Sequence, residues 1–215
     1  MKPKKDRISM SVIRRLPRYY RFLSDLERRG VNRISSRELS DRMGLTASQI
    51  RQDLNCFGGF GQQGYGYMVH QLREEIASIL GIDHQYKTIL IGAGNLGRAV
   101  AAHISFENQG FQLIGIFDRN PALFGQVIRG IPIRSEEELE PFCAAEHPQT
   151  AILCVPMDAA ENLGKRLISA GIQSFWNFSH YDFSVSNPEA IVENVHMNDS
   201  LMTLCYRISD RDREA

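Results

Sequence analysis

The chain has 215 residues, 43% of them hydrophobic and 23% charged, the balance of a soluble globular protein with room for one large domain or two modest ones. No run of about 18 apolar residues is present to span a membrane, and the basic N-terminus MKPKKDRISM lacks the apolar stretch of a secretory signal. The formal net charge of zero conceals a split: residues 1–86 carry 15 Lys and Arg against 9 Asp and Glu, and residues 87–215 carry 10 against 16.

A basic module joined to an acidic one suggests that the first attracts nucleic acid or another anionic surface. Charge alone also fits two unrelated soluble domains. Cysteines 56, 143, 154 and 205 show neither CxxC nor metal-ligand spacing, so no metal site is expected. Free thiols in a reducing cytoplasm fit them best.

From Ser11 to Arg29, apolar residues at Ile13, Leu16, Tyr19, Tyr20, Leu23 and Leu26 recur at intervals of three and four, which predicts an amphipathic helix closed by Gly30. Pro17 must lie in its first turn or mark a kink. Ser35-x-x-Glu38 then reads as a capping box opening a short helix through Leu39 and Met43. After the turn at Gly44 and Leu45, Thr46-x-x-Gln49 reads as a second box opening a helix through Ile50 and Leu54. Two short helices with a glycine turn describe a helix-turn-helix, although many such pairs bind no DNA. The second helix presents Ala47, Ser48, Gln49, Arg51 and Gln52, which are small, polar or cationic enough to enter a major groove. With Ser35, Ser36 and Thr46 they form the candidate DNA-contacting set.

Residues 58–67, GGFGQQGYGY, follow directly. They lack the lysine and the preceding strand of a phosphate loop, and their aromatics argue against a flexible tether. Glycines between aromatics suit a short β-hairpin whose turn needs positive φ. A hairpin behind a recognition helix is the wing of a winged helix. Having no charge, this wing would touch DNA through backbone N–H groups near Gly64 and Gly66, through Gln62 and Gln63, or by inserting Tyr65 into a minor groove. The helix QLREEIASIL closes the module near Gly81.

Lys87–Ile91 is a short apolar strand leading into GAGNLGRAVAAHI, where Gly92, Gly94 and Gly97 match GxGxxG. A second strand, FQLIGIF, ends at Asp118, the spacing of a dinucleotide fingerprint. Gly92 serves the tight turn, Gly94 the approach of a pyrophosphate and Gly97 close helix packing. Backbone N–H groups along Ala93, Asn95 and Leu96 supply the anion site. Asp118 suits the hydroxyls of an adenosine ribose and would repel a 2′-phosphate, which favours NAD(H); adjacent Arg119 softens that preference. Strands GIPI, TAILCVP and IQSFWNF then alternate with helices SEEELEPFCAA and DAAENLGKRLISAG, predicting a doubly wound, mainly parallel sheet. Val155, Pro156, Asn177 and Phe178 fall at strand carboxyl ends, where they can frame a nicotinamide. The last segment, MNDSLMTLCYRISD, reads as an amphipathic helix capped by Asn198 or Asp199. Leu201, Leu204, Cys205 and Ile208 share a face needing cover from its own domain or a partner.

No acid/base constellation accompanies the dinucleotide unit, and the six histidines are scattered. A sensor fused to a DNA reader therefore accounts for both modules better than an NAD-dependent oxidoreductase does. A non-redox, nucleotide-gated DNA-binding protein is a further alternative.

The ordered set SSRELSDRMGLTASQIRQDL, FGGFGQQGYGY, ILIGAGNLGRAV, FDRNP, VP and AGIQSFWNF resembles the Rex family of bacterial redox-sensing transcriptional repressors over about residues 8–208. The resemblance implies a cytoplasmic homodimer that is not an enzyme. It implies a winged-helix domain over 1–84, a Rossmann-like NAD(H)-binding domain over 85–195, and a helix and tail over 196–215 swapped into the partner subunit. NADH and NAD⁺ are then regulatory ligands, and a palindromic, A/T-rich operator is released when NADH is high. The chain also departs from the family pattern. Arg51-Gln52-Asp53 stands where Arg-Lys-Asp is common, and Gln62-Gln63 replaces a basic pair in the wing. His103 and His196 occupy the positions of a switch tyrosine and aspartate, with Arg21 matching the helix arginine that meets that aspartate. Asn177-Phe178-Ser179-His180 replaces an Asn-Phe-(Ala/Thr)-Pro motif.

Overall fold

The computed structural model describes residues 8–58, 61–62 and 65–214. The chain divides into two compact units, residues 1–83 and 84–215.

In the first unit the expected long helix is broken in two, α1 (Met10–Ile13) and α2 (Leu16–Arg28). Pro17 is the cause: it sits in the first turn of α2, where its missing N–H is no loss, and a continuous helix would have placed it in the interior. Leu16, Tyr19, Leu23 and Leu26 are buried along one face of α2, and Gly30, at φ 75°, lets the chain leave it. After β1 (Arg33–Ile34), α3 (Ser36–Met43) opens on a complete capping box. Glu38 N–H donates to Ser35 Oγ at 3.1 Å, and Ser35 N–H donates to Glu38 Oε2 at 2.8 Å. Gly44, at φ 62°, ends it.

Thr46 caps α4 (Ala47–Asn55) by accepting from Gln49 N–H at 3.1 Å. The reciprocal half of that box is not made, because the Gln49 amide turns to Asp53 instead. Strands β2 (Gly61–Gln62) and β3 (Gly66–Met68) form the antiparallel hairpin behind α4, and β3 also pairs with β1. Helix α5 (Val69–Leu80) completes the unit, with Leu72 and Ile76 joining Leu23, Leu39, Ile50 and Leu54 in its core. Each such side chain, fully buried, contributes about 1.5–3 kcal/mol. Helices α3 and α4 with this hairpin make a winged helix.

The second unit follows in chain order as β4 (Tyr86–Ile91), α6 (Asn95–His103), β5 (Phe111–Asp118), β6 (Val127–Ile128), β7 (Ile131–Ser135) and α7 (Leu139–Glu146). It continues with β8 (Thr150–Leu153), α8 (Met157–Ser169), β9 (Ser174–Asn177), α9 (Phe183–Ser186), β10 (Ile191–Asn194) and α10 (Met197–Glu214). Among the described residues these strands form one seven-stranded sheet in the order β10-β9-β8-β4-β5-β7-β6. Every neighbouring pair is parallel except β6 with β7, joined by a tight turn in which Arg129 and Gly130 both have positive φ.

The pleat sends alternate residues of β4 to opposite cores: Ile89 and Ile91 pack with α7 and α8, Leu90 with α6. From β4 the chain moves outward through β5 and β7, then returns across it to β8. The carboxyl ends of β4 and β8 are therefore the topological switch point of the sheet, where ligands bind in such folds.

Two strands escape the sequence pattern. Strand β6 is only two residues long, and β10, IVEN, lacks the longer apolar run that marks β8 and β9. Helix α10 runs to Glu214, and Leu201, Leu204 and Ile208 on it are all exposed, so this chain does not cover its apolar face.

Helix α8 lies against Phe183 through Gly164, where an added Cβ would fall 1.7 Å from the ring. Replacing Gly164 by Ala should destabilise the second unit by about 1–3 kcal/mol of overpacking and so lower its denaturation midpoint, although helix propensity alone would stabilise it by about 1 kcal/mol. A raised midpoint would show that the contact is not made.

Candidate functional site

The recognition helix is held from beneath by one carboxylate. Asp53 is 1% exposed and accepts four hydrogen bonds. Arg15 Nε and Nη2 donate to its two oxygens, each at 2.7 Å; Tyr19 Oη donates at 3.0 Å and Gln49 Nε2 at 2.8 Å. Burial pushes the Asp53 carboxyl upward, but the bonds from Arg15, Gln49 and Tyr19 outweigh it and hold the group below its usual range. Burial, together with the Asp53 charge, raises the Tyr19 phenol. This anchor had no local signal, since Arg15 and Asp53 lie 38 residues apart.

Of the expected DNA-contacting residues, Thr46, Ser48, Arg51 and Gln52 are exposed on α4, while Ala47 and Gln49 are half-buried. Arg51 Nη1 donates to Ser36 Oγ at 3.1 Å, joining the two helices of the motif at its outer face. Ser35 is engaged in its capping box. Asn55, one turn beyond Arg51, is exposed and went unremarked in the sequence. On the wing, Gln62 lies in β2 and Tyr65 is 69% exposed, whereas Gln63 and Gly64 fall outside the described residues. Gly66 is required for a reason other than the hairpin turn. It has φ 72°, and a Cβ there would come within 2.6 Å of Ile34 O on the adjacent strand.

In the second unit, the carboxyl ends of β4 and β8 enclose a cleft of about 140 Å³. Gly92, Gly94, Asp118, Arg119, Val155 and Pro156 line it as expected, joined by Glu136, Cys154, Ala159 and Leu163. The three glycines divide the work. Gly92, at φ 94°, leaves no room for a Cβ, which would sit 2.4 Å from Cys154 O. A Cβ on Gly97 would sit 1.8 Å from Gly92 O, so α6 can approach β4 only with glycine there. A Cβ on Gly94 would meet nothing within 4 Å, which leaves the backbone open to an incoming phosphate. Asn95, Leu96 and Gly97 open α6, and the N–H groups of a first helical turn lack intrahelical acceptors.

Asp118 closes the cradle. Its Oδ2 accepts from Ala93 N–H at 2.6 Å and its Oδ1 from Asn120 N–H at 2.8 Å, fixing the glycine turn to the end of β5. Each oxygen keeps a lone pair for a ribose hydroxyl. Glu136 is ion-paired with Arg166 at 2.8 Å. Burial pushes the Cys154 thiol up to about 12.

Asn177 and Phe178 do not line this cleft. Asn177 is fully buried: its Nδ2 donates to Tyr181 O and Asn194 Oδ1, and its Oδ1 accepts from Ser179 N–H and Oγ. Its amide thus ties β9 to β10 and the following turn. Phe178 packs edge-on against Trp176 on the α6 side of the sheet. His103 is exposed at the end of α6 and Arg21 is exposed on α2. The His196 ring lies 5.8 Å from that of His180, with its Nδ1 3.5 Å from Asp199 Oδ2.

A winged helix and a dinucleotide-type Rossmann unit on one chain define a ligand-responsive DNA-binding regulator. Comparison with known proteins agrees. Residues 7–55 match a family described as a putative DNA-binding protein N-terminus, and residues 83–181 match a CoA binding domain. The chain is 54% identical over 209 residues to the redox-sensing transcriptional repressor Rex of Caldanaerobacter subterraneus subsp. tengcongensis, covering 97% of this chain and 93% of the relative. It is 50% identical over 210 residues to the Rex repressor of Clostridium perfringens, covering 97% and 98%. Among solved structures, RSP in complex with β-NAD⁺ and operator DNA superposes with a TM-score of 0.88 at 54% identity, covering 95% of this chain and 94% of that one. RSP in complex with β-NADH gives a TM-score of 0.87 at 51% identity, covering 96% of each. The chain belongs to the Rex family of redox-sensing transcriptional repressors.

Two substitutions should separate the modules. Gly97→Ala is expected to weaken NADH binding about tenfold or more by displacing α6, with operator affinity in the absence of nucleotide unchanged. Gly66→Val should do the reverse, abolishing operator binding while calorimetric NADH affinity stays the same. Asp53→Ala should destabilise the first unit by about 1–3 kcal/mol, because Arg15, Tyr19 and Gln49 lose their shared acceptor. Since the Asp53 pKa is lowered by folding, its contribution is complete above the unfolded value of about 3.9 and fades as pH falls through the folded one. Thermal unfolding of wild type and variant should therefore converge in acid and diverge toward neutral pH.

Proposed function

We propose that this chain is a cytoplasmic, homodimeric repressor that occupies a palindromic, A/T-rich operator when NADH is low and leaves it when NADH binds the cleft at Gly92–Gly97. The observation that carries the reading is the built cradle: an open Gly94, the first turn of α6, and Asp118 holding the loop from a neighbouring strand. The carboxylate suits a ribose diol and opposes a 2′-phosphate, which favours NAD(H) over NADP(H). The solved RSP complexes with β-NAD⁺ and operator DNA, and with β-NADH, support the same pairing of ligands.

The uncovered apolar face of α10 supports its docking on the partner subunit, with residues 196–215 as a swapped segment. We place Arg21, His103 and His196 among the groups that distinguish the two dimer arrangements. His196 would there exchange its contact with His180 for groups across the interface.

Nucleotide can change operator affinity only through unequal affinity for those arrangements. A 100-fold release requires NADH to prefer the non-binding arrangement by about 2.7 kcal/mol. Val155, Pro156 and Leu163 give the cleft an apolar wall that suits the neutral, reduced nicotinamide. The oxidoreductase alternative fares worse. Of the titratable groups in the cleft, Asp118 is engaged with two backbone N–H groups, Glu136 with Arg166, and the Cys154 thiol is held protonated.

Titrating NADH and NAD⁺ against the operator complex at fixed salt is the test. NADH should release DNA at concentrations where NAD⁺ leaves it bound. Equal release by both would replace the redox reading with a nucleotide-gated one, and turnover of NADH with small carbonyl compounds would favour the enzyme.

A further inference from the structure

We propose that Asp53 fixes the Gln49 amide with its carbonyl oxygen facing outward, so that Gln49 reads an exocyclic amino group (adenine N6 or cytosine N4) in the major groove. The inference rests on the operator-binding reading above and adds what one side chain of the recognition helix selects.

The orientation of a glutamine amide is normally open, because oxygen and nitrogen can exchange places at little cost. Here it is not. Asp53 is buried and faces the Arg15 guanidinium through two bonds of 2.7 Å, so it is a carboxylate and can only accept. The Gln49 group 2.8 Å away must therefore be Nε2, a donor. Turning the amide over would set two acceptors against each other and leave a carboxylate lone pair unfilled. Tyr19 occupies another of the acceptor positions at 3.0 Å, which fixes the carboxylate and, through it, the amide. Arg15 and Tyr19 are thus positioning residues, acting on DNA through Asp53 and Gln49.

Gln49 is the third residue of α4, at the end of the helix that enters the groove in a helix-turn-helix. It is half-exposed, and no group among the described residues donates to its Oε1. An outward carbonyl oxygen accepts from adenine N6 or cytosine N4 and is repelled by guanine O6 and thymine O4. The remaining Nε2 hydrogen can still complete a pair with adenine N7. Arg51 contrasts with Gln49: among the described residues its guanidinium bonds the Ser36 hydroxyl alone, so it can swing between phosphate and base.

Every base pair contains one amino-bearing base, so sequence preference alone cannot reveal which group is read. The test uses a palindromic operator selected by the full-length wild-type protein from a random pool. Single adenines or cytosines are replaced by analogues lacking the amino group, and single thymines or guanines by analogues lacking the major-groove oxygen. Affinities at one salt concentration are measured for wild type, Gln49→Ala and Asp53→Asn. At one position per half-site, loss of the amino group should weaken wild-type binding about fivefold to tenfold and leave Gln49→Ala unaffected, a coupling confined to that pair. Asp53→Asn, whose amide can donate to Gln49 Oε1, should lose that coupling; if this variant does not fold, the Gln49→Ala cycle decides alone. Coupling of Gln49 to a base oxygen, or to no base group, would overturn the inference while leaving the repressor reading intact. A wild-type protein that selects no sequence would overturn both.

Discussion

The closeness of α6 to β4 governs the second unit. Two glycine positions let backbone meet backbone: a side chain on Gly97 would collide with Gly92 O, and one on Gly92 with Cys154 O. Because the contact is made without side chains, the helix start, the turn and the end of β8 share one small volume. The helix then directs its unpaired N–H groups at the point where the strand order reverses. Asp118 reaches across from β5 and draws the Ala93 N–H toward itself, so the turn is held from a second strand as well. Anion site, ribose acceptor and apolar wall all follow from that approach.

The first unit uses a carboxylate in a related way but on side chains. Asp53 gathers a guanidinium, a phenol and an amide from α1–α2 and from its own helix. A buried charge of this kind is a poor source of net stability, since its desolvation offsets much of the attraction. What it supplies is orientation. The recognition helix cannot roll on α2 without separating Arg15 from Asp53. The DNA-facing side of α4 is therefore specified by contacts on its hidden side.

Much of this was legible in the sequence where a physical requirement is local. The capping box at Ser35 and Glu38, the left-handed stop at Gly44, the glycine spacing at 92, 94 and 97 and the alternation of strands and helices all express short-range rules. Long-range partners were not legible. Nothing near Asp53 announces that Arg15, 38 residues earlier, will pair with it, nor does anything near Gly66 reveal that β1 will pass within contact of it. Asn177 shows the opposite failure: its place at a strand end suggested a ligand contact, but a fully buried amide satisfies itself with protein neighbours first. Strands β6 and β10 exist because neighbouring edges accept them, which no local pattern encodes.

The Cys154 thiol has a chemical consequence for the signal itself. It borders the nucleotide cleft yet is held protonated, with its pKa raised to about 12 by burial. At neutral pH the thiol form then dominates, and peroxides attack thiolates, not thiols. The thiol that borders the cleft is accordingly held in its less reactive form. Information about the cell's oxidation state then arrives there as a bound ring that has or has not gained a hydride, a reading that is reversible and leaves the protein covalently unmarked.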